Sequence, residues 1–362
     1  MKFKKVGYTK IYDFIKEVFV KLGVPQNEAK ICADVLIESD LRGIESHGIG
    51  RLKMYYDRIK AGIQNVVTDI DIVRDRKAIA VWDGNHGMGH VISHRAMQTA
   101  INKAKKFGIG SVAVRNSTHY GIAGYYAKLA AENDMIGLTF TNARPSVAPT
   151  FGVDPMLGTN PICFGAPSDK EHPFIYDAAT SISQRGKIEV LDRENKTTPE
   201  GWAIDSKGNS YTATKPLLKD LVSKKASLLP LGGDTEELGS HKGYGLATIV
   251  EILSSALQNG SYLHQLSGWE GSKRVPYRLG HFFMAINIDF FIDIEAFKTI
   301  VGDIMLQLRN SKIKSDKTKI YVAGEKEYLK GIKVKKEGIP INENLMKNIK
   351  IMAVELGIKV DF

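Results

Sequence analysis

Near Ile79 the hydrophobic pattern of this chain changes period, and that change limits the folds open to it. Before residue 60 the apolar residues recur at helical spacing. Residues 27–41 place Ala29, Cys32, Ala33, Leu36 and Ile37 on one face, with Pro25 just ahead of the start. A second helix is expected over about 48–60, capped by Ser46 and stopped near Gly62. From Ile79 the apolar residues gather instead into short runs broken by glycine: IAVWDG, IGSVAVRN, IGLTFTN, ICFGAP and FIYDAA. These read as strands, with helices expected between them at 92–107 and 119–133. Residues 243–258 read as a helix that is apolar on more than one side (Leu246, Ile249, Val250, Ile252, Leu253), and is therefore expected to be buried. A strand, FFMAINI, and amphipathic helices over 295–308 and 342–356 complete the chain. The fold class expected is α/β (α+β): a mixed central sheet at 78–300, flanked by helical ends at 1–77 and 301–362 that pack together as one discontinuous domain.

Composition narrows the class further. The 362 residues are 43% apolar and 25% charged, ordinary values for a globular protein with a substantial core. No apolar run reaches the length of a membrane helix, and the first residues, MKFKKVGYTKIYDF, lack the apolar core of a secretory signal. Two cysteines, Cys32 and Cys163, make neither a disulfide framework nor a four-ligand zinc site, and a cytoplasmic setting is expected. The net charge of +10 raises a nucleic-acid-binding alternative. Residues 309–336 hold ten Lys and Arg against three acids, however, in a stretch read as irregular and without the interleaved aromatics of a base-stacking platform. A solvated surface that draws in small anions is the expectation there, with no nucleic acid and no membrane as partner.

The usual signatures are missing. The 34 glycines contain no G-x-G-x-x-G between a strand and the helix after it. The near match at 108–113 closes a helix and opens a strand. There is no G-x-S-x-G, P-loop or H-E-x-x-H. His86, His90 and His94 are four apart, but glycines surround His86 and no acid or cysteine completes a ligand set. They read as surface or loop histidines, and no metal is expected.

Two histidines have better company. His47 and Arg51, four residues apart in S-H-G-I-G-R, share a helix face. The helix N-terminus and the guanidinium both push His47 towards its neutral form, which can take a proton, while an arginine grips a carboxylate in a fork. Gly48 and Gly50 weaken the helix start and imply a close approach to its backbone. The competing reading is a first-turn histidine on a helix capped by Ser46, and spacing does not separate the two. His119, in N-S-T-H-Y-G-I-A-G-Y-Y, follows a strand and opens a helix with Ser117 or Thr118 as cap. Free N–H groups there suit an anion, or the glycines serve close packing on the sheet.

Taken in order, these segments resemble the type-2 malate/L-lactate dehydrogenases, from about residue 10 onwards. The resemblance is carried by D-L-R-G-I-E-S-H-G-I-G-R (40–51), R-N-S-T-H-Y-G-I-A-G-Y-Y (115–126), T-N-A-R-P (141–145), A-P-T (148–150) and L-G-T-N-P (157–161). It continues through D-A-A-T-S (177–181), R-G-K (185–187), L-P-L-G-G (229–233), H-K-G-Y-G-L (241–246) and G-E (324–325). It implies a non-Rossmann NAD(P)-binding domain with a largely antiparallel sheet, a homodimer, and hydride transfer between NAD(P) and a 2-hydroxy acid, with malate/oxaloacetate foremost. Lactate, sulfolactate, ureidoglycolate or cyclic imino acids are the alternatives. It further implies His47 as proton donor and acceptor, Arg51 as carboxylate clamp, and His119 and Asp177 near the reacting carbon. Thr159, Asn160, Ala179, Thr180, Ser181, Lys187, Pro230, Gly232, Lys242, Gly324 and Glu325 would line the cofactor cleft with His119 and Asp177. Asp177-Ala178 stands where the family has D-M, and Ala323 where a proline is common. NAD is the expected cofactor, with NADP open because Arg185 and Lys187 suit either a 2′-phosphate or a pyrophosphate.

Overall fold

The structure, a computed structural model, describes residues 3–362. The first lobe opens with a strand, β1 (Phe3–Val6), and three helices, α1 (Tyr8–Lys21), α2 (Gln26–Leu41) and α3 (Ile49–Lys60). Helix α1 buries Ile11, Phe14, Ile15, Val18 and Phe19, a stripe at i, i+3, i+4, i+7 and i+8. The chain then enters the sheet through β2 (Asp71–Arg76), β3 (Ile79–Asp83), α4 (Gly89–Phe107), β4 (Ile109–Ser117), α5 (Gly124–Ala131), β5 (Met135–Thr141), β6 (Ile162–Ala166) and β7 (Phe174–Ala178). A satellite follows, built of α6 (Arg185–Arg193), β8 (Ala203–Asp205), α7 (Thr214–Ser223) and β9 (Ala226–Leu228). After α8 (Ser240–Leu253) come the short pair β10 (Trp269–Glu270) and β11 (Lys273–Arg274), then β12 (Leu279–Asn287) and α9 (Ile294–Arg309). The last elements are α10 (Glu325–Glu337), β13 (Ile339–Asn342) and α11 (Glu343–Leu356).

Seven strands form one sheet in the order β2-β3-β4-β12-β5-β6-β7, in which only the β3–β4 pair is parallel. Late strand β12 is inserted at the centre, so Phe283 faces Val112 on one side and Thr139 on the other. Helices α4 and α5 cover one face through alanines such as Ala100, Ala127 and Ala130. The approach is close: a Cβ on Gly137 or Gly165 would lie 2.7 Å from the Ala127 carbonyl. Val250 of α8 packs on the opposite face with Phe140 and Phe282. The two chain ends meet in a separate core. Strand β1 pairs antiparallel with β13, Phe3 opposite Asn342, and Ile349, Met352 and Ala353 of α11 join the residues buried by α1 to α3.

Several expectations need correction. Helix α8 is buried on one side only: Leu246, Ile249 and Ile252 are exposed, because only its Val250 side reaches the sheet. The lysine-rich stretch read as irregular contains α10, whose Glu325 pairs with Lys319 at 2.7 Å and Arg309 at 3.3 Å. The helix expected from His119 begins at Gly124. His90 is not a surface or loop residue; it is fully buried, with its ring 4.6 Å from that of Tyr55. The expected division at 77/78 would cut off β2, which pairs with β3 in the sheet. The one at 300/301 falls inside α9, which is held to the sheet side by Lys298 and Asp134 at 3.0 Å.

Candidate active site

The turn between α2 and α3 carries the first functional group. Asp40, near the end of α2, accepts a hydrogen bond from the Ile49 N–H at 2.7 Å, so its carboxyl oxygen caps α3 from another helix. A Cβ on Gly48 would lie 1.9 Å from Asp40 Oδ1, which identifies the close approach that this glycine permits. Ser46 is therefore not the cap. Its hydroxyl lies 2.9 Å from His47 Nδ1, leaving the other ring nitrogen for the cleft. Arg51 Nε donates to the Ser46 carbonyl at 2.8 Å, tying the guanidinium to the same turn.

One turn beyond Arg51, the buried Tyr55 places its hydroxyl 2.5 Å from His119 Nδ1. The His119 ring lies parallel to that of His47, 5.5 Å away between centroids. Thr118, expected as a cap for the following helix, instead serves the start of α4, accepting from the Gly89 N–H at 2.9 Å. Burial, and secondarily Arg51, push His47 down to about 3. Burial also pushes His119 well below the usual histidine value, helped by His47 and Arg51. Both rings keep part of their surface open, and both are neutral near pH 7. Tyr55 was missed by sequence reasoning, although its i+4 spacing from Arg51 was an available signal.

Asp177 closes the other side. Its Oδ2 accepts from the Gly124 N–H at 2.6 Å, so a carboxylate of the chain itself occupies the N-terminus of α5. Surrounding protein raises its carboxyl to about 6, although the side chain stays open to the cleft. A cavity of about 140 Å³ lies between His47, His119, Tyr120, Thr159, Asp177 and Ala179. Asp177 also lines a second cavity of about 420 Å³, together with Arg42, Lys319 and Gly324.

The remaining expected residues divide into groups. Thr180 joins Thr159 through its N–H at 3.0 Å, and Ser181 bridges to Pro230, so these loops are one assembly beside the cleft. Gly232, at φ +92°, packs against the backbone of Gly239 and Ser240 at the head of α8, where Lys242 is exposed. Lys187 is exposed on α6 and lines neither of these cavities. Two side chains are committed internally: the Asn160 amide donates to Glu251 at 2.8 Å and to the Ala247 carbonyl at 3.0 Å, and Glu325 is held by its two cations. The cleft suits a polar planar group, since the Tyr120 hydroxyl on its wall is buried without a partner among the described residues.

Two neutral imidazoles and a guanidinium lining one cavity define a site for moving a proton on an anionic substrate. The class this fold and site define is a hydroxy-acid dehydrogenase. Residues 6–350 match the malate/L-lactate dehydrogenase family, and the chain belongs to it. It is 45% identical to malate dehydrogenase of Pyrococcus abyssi, over 98% of this chain and 96% of that one. It is 39% identical to L-sulfolactate dehydrogenase of Methanocaldococcus jannaschii, over 96% of each. The crystal structure of malate dehydrogenase from Entamoeba histolytica superposes with a TM-score of 0.97 at 44% identity, covering all of both chains. Membership implies a nicotinamide dinucleotide and a small carboxylate substrate.

Proposed function

We propose that this enzyme interconverts malate and oxaloacetate with NAD, NADP being the second candidate. The observation that carries the reading is the parallel pair of neutral imidazoles, His47 and His119, beside Arg51. Neutral His47 takes the proton of the substrate hydroxyl, and the imidazolium so formed returns it in the reverse reaction. Arg51 clamps the C1 carboxylate and contributes orientation. The Tyr55 hydroxyl fixes the His119 ring from behind. When bound, the dinucleotide supplies the hydride acceptor. Asp177, Thr159, Ala179 and Gly324 line the cavities that would hold it. Thr180, Ser181, Pro230 and Gly232 shape the adjoining loops, Lys187 and Lys242 bring positive charge to its phosphates, and Asn160 and Glu325 brace the frame.

The wider reading is of a cytoplasmic homodimer, whose second copy covers exposed apolar side chains such as Ile249 and Ile252 of α8. The two chain ends, expected at 1–77 and 301–362, form one discontinuous domain once β2 (Asp71–Arg76) and the end of α9 (to Arg309) are given to the sheet domain. The runner-up substrate is an acid with another charged group at C3, as the sulfolactate relatives suggest. Initial rates with oxaloacetate, pyruvate and other 2-keto acids, each with NADH and NADPH, test the proposal. Turnover of oxaloacetate is expected, and no turnover of any 2-keto acid would overturn it.

A further inference from the structure

The two histidines of the cleft are held in unlike ways. The Ser46 hydroxyl, 2.9 Å from His47 Nδ1, can turn to donate or to accept, so His47 keeps a partner whether or not that nitrogen carries a proton. The partners of His119 allow one arrangement only. Tyr55 is fully buried, and its hydroxyl has no acceptor among the described residues except His119 Nδ1, at 2.5 Å. The Gly121 N–H, which can only donate, lies 3.4 Å from the same nitrogen and also within reach of the phenol oxygen. A proton on His119 Nδ1 would meet both donors and leave the phenol proton buried and unpaired, which is costly. Nδ1 therefore accepts, and the proton of the neutral ring sits on Nε2, the nitrogen left for the cavities that His119 lines with His47. Burial opposes a second proton there, and so do His47, Arg51 and Arg58 at α3 and His90 of α4. The carboxylates lining these cavities are Asp177, which caps α5, and Glu189, paired with Arg185 at 2.9 Å.

We propose that Tyr55 is a positioning residue that locks His119 as an Nε2–H donor, so that His119 holds the oxygen on substrate C2 by a hydrogen bond while His47 alone moves the proton. The inference rests on the function proposed above and divides the labour between its two imidazoles. A hydroxyl group has one proton to give and lone pairs with which to accept. Two acceptor rings would compete for that proton, whereas one acceptor and one donor match the group on both counts. In oxidation the hydroxyl proton passes to His47 and the C2 hydride leaves for the dinucleotide. His119 transfers nothing, and its N–H stabilises the negative charge building on the oxygen. In reduction the same N–H polarises the keto oxygen that His47 protonates.

Nitrogen NMR on enzyme carrying isotopically labelled histidine reads the tautomer without catalysis, the His119 signals being those that vanish in His119→Gln. In the wild type at neutral pH, Nε2 is expected to carry the proton and Nδ1 to be bare. Tyr55→Phe should let the Nδ1–H form appear beside it, and should lower kcat by about tenfold with KM changed less than about threefold. His119→Gln keeps an N–H donor but has no base. It should stay within about tenfold of wild-type turnover and keep the low-pH fall of kcat/KM that belongs to His47, whereas His119→Leu should lose at least about 10²-fold. A wild-type ring protonated on Nδ1, or a tautomer unmoved by Tyr55→Phe, would overturn the lock. A glutamine variant as inactive as the leucine one, or one without the low-pH fall, would make His119 the base and overturn the division of roles. Absence of 2-keto acid turnover would count against the proposed function alone, since the tautomer is read in resting enzyme.

Discussion

At the scale of single residues, His47 and Arg51 have separable duties. His47→Ala should lower turnover by about 10²–10⁴-fold with NADH affinity nearly unchanged, as read by initial rates and fluorescence titration. Arg51→Lys should mainly raise the substrate KM, because the charge survives and the bidentate grip does not. The pH dependence has a definite sign. Burial and Arg51 disfavour imidazolium, so the base form of His47 persists well below the usual histidine range. In the oxidation direction kcat/KM should fall as pH drops and His47 gains a proton, but at lower pH than an ordinary histidine would impose. Arg51→Gln removes one of the two causes and should move that fall upwards. A knee near pH 6 that vanishes in Asp177→Asn would instead belong to Asp177, whose carboxyl is raised to about 6.

At the scale of elements, the start of α3 depends on a carboxyl group, that of Asp40, which the local sequence does not reveal. Burial pushes Asp40 up to about 8. The folded protein therefore holds a proton there that the unfolded chain has released, and this contribution to stability is lost as pH rises from about 4 towards 8. Asp40→Asn should flatten the dependence of Tm on pH across that window, as measured by calorimetry. Gly48→Ala should cost about 1–3 kcal/mol, because its methyl group meets Asp40. The strands were legible because each is a short apolar run ended by a turn, and His47 with Arg51 because their relation is local. Tyr55 against His119 and Asp40 against Gly48 were not, since each joins side chains that only tertiary structure brings together. Helix α10 escaped notice because its apolar Leu329 and Ile332 remain exposed and its lysines mask the period. Asp177 reached the site through the family resemblance; nothing in its local sequence shows that it caps α5.

At the scale of the molecule, the chain-end lobe carries His47, the proposed proton-transfer group, while the sheet carries most of the cleft. The lobe's core includes Ile339, Ile341, Ile349 and Met352, so a chain ending at Gly338 should expose the apolar faces of α1 and α3. Such a truncation is expected to lose its cooperative melting transition and all turnover, as read by calorimetry and rate assay. A point substitution on the exposed side of α11, Val354→Ser, removes no buried contact and should leave both within ordinary variation. Light scattering of the intact protein should report the mass of two chains, and a single chain would remove the homodimer from the reading.

The antiparallel pairing of β1 with β13 also has a meaning for biosynthesis. Helices α1 to α3 leave the ribosome early, yet their partners follow about 280 residues later. At typical elongation rates that interval is on the order of tens of seconds. Throughout it the stripe from Ile11 to Phe19 has no β13 or α11 to cover it, although the sheet, complete at Asn287, emerges before them. The nascent chain therefore leaves this apolar stripe incompletely covered until its final two elements emerge, and a product released before then lacks part of the core that supports the turn bearing His47.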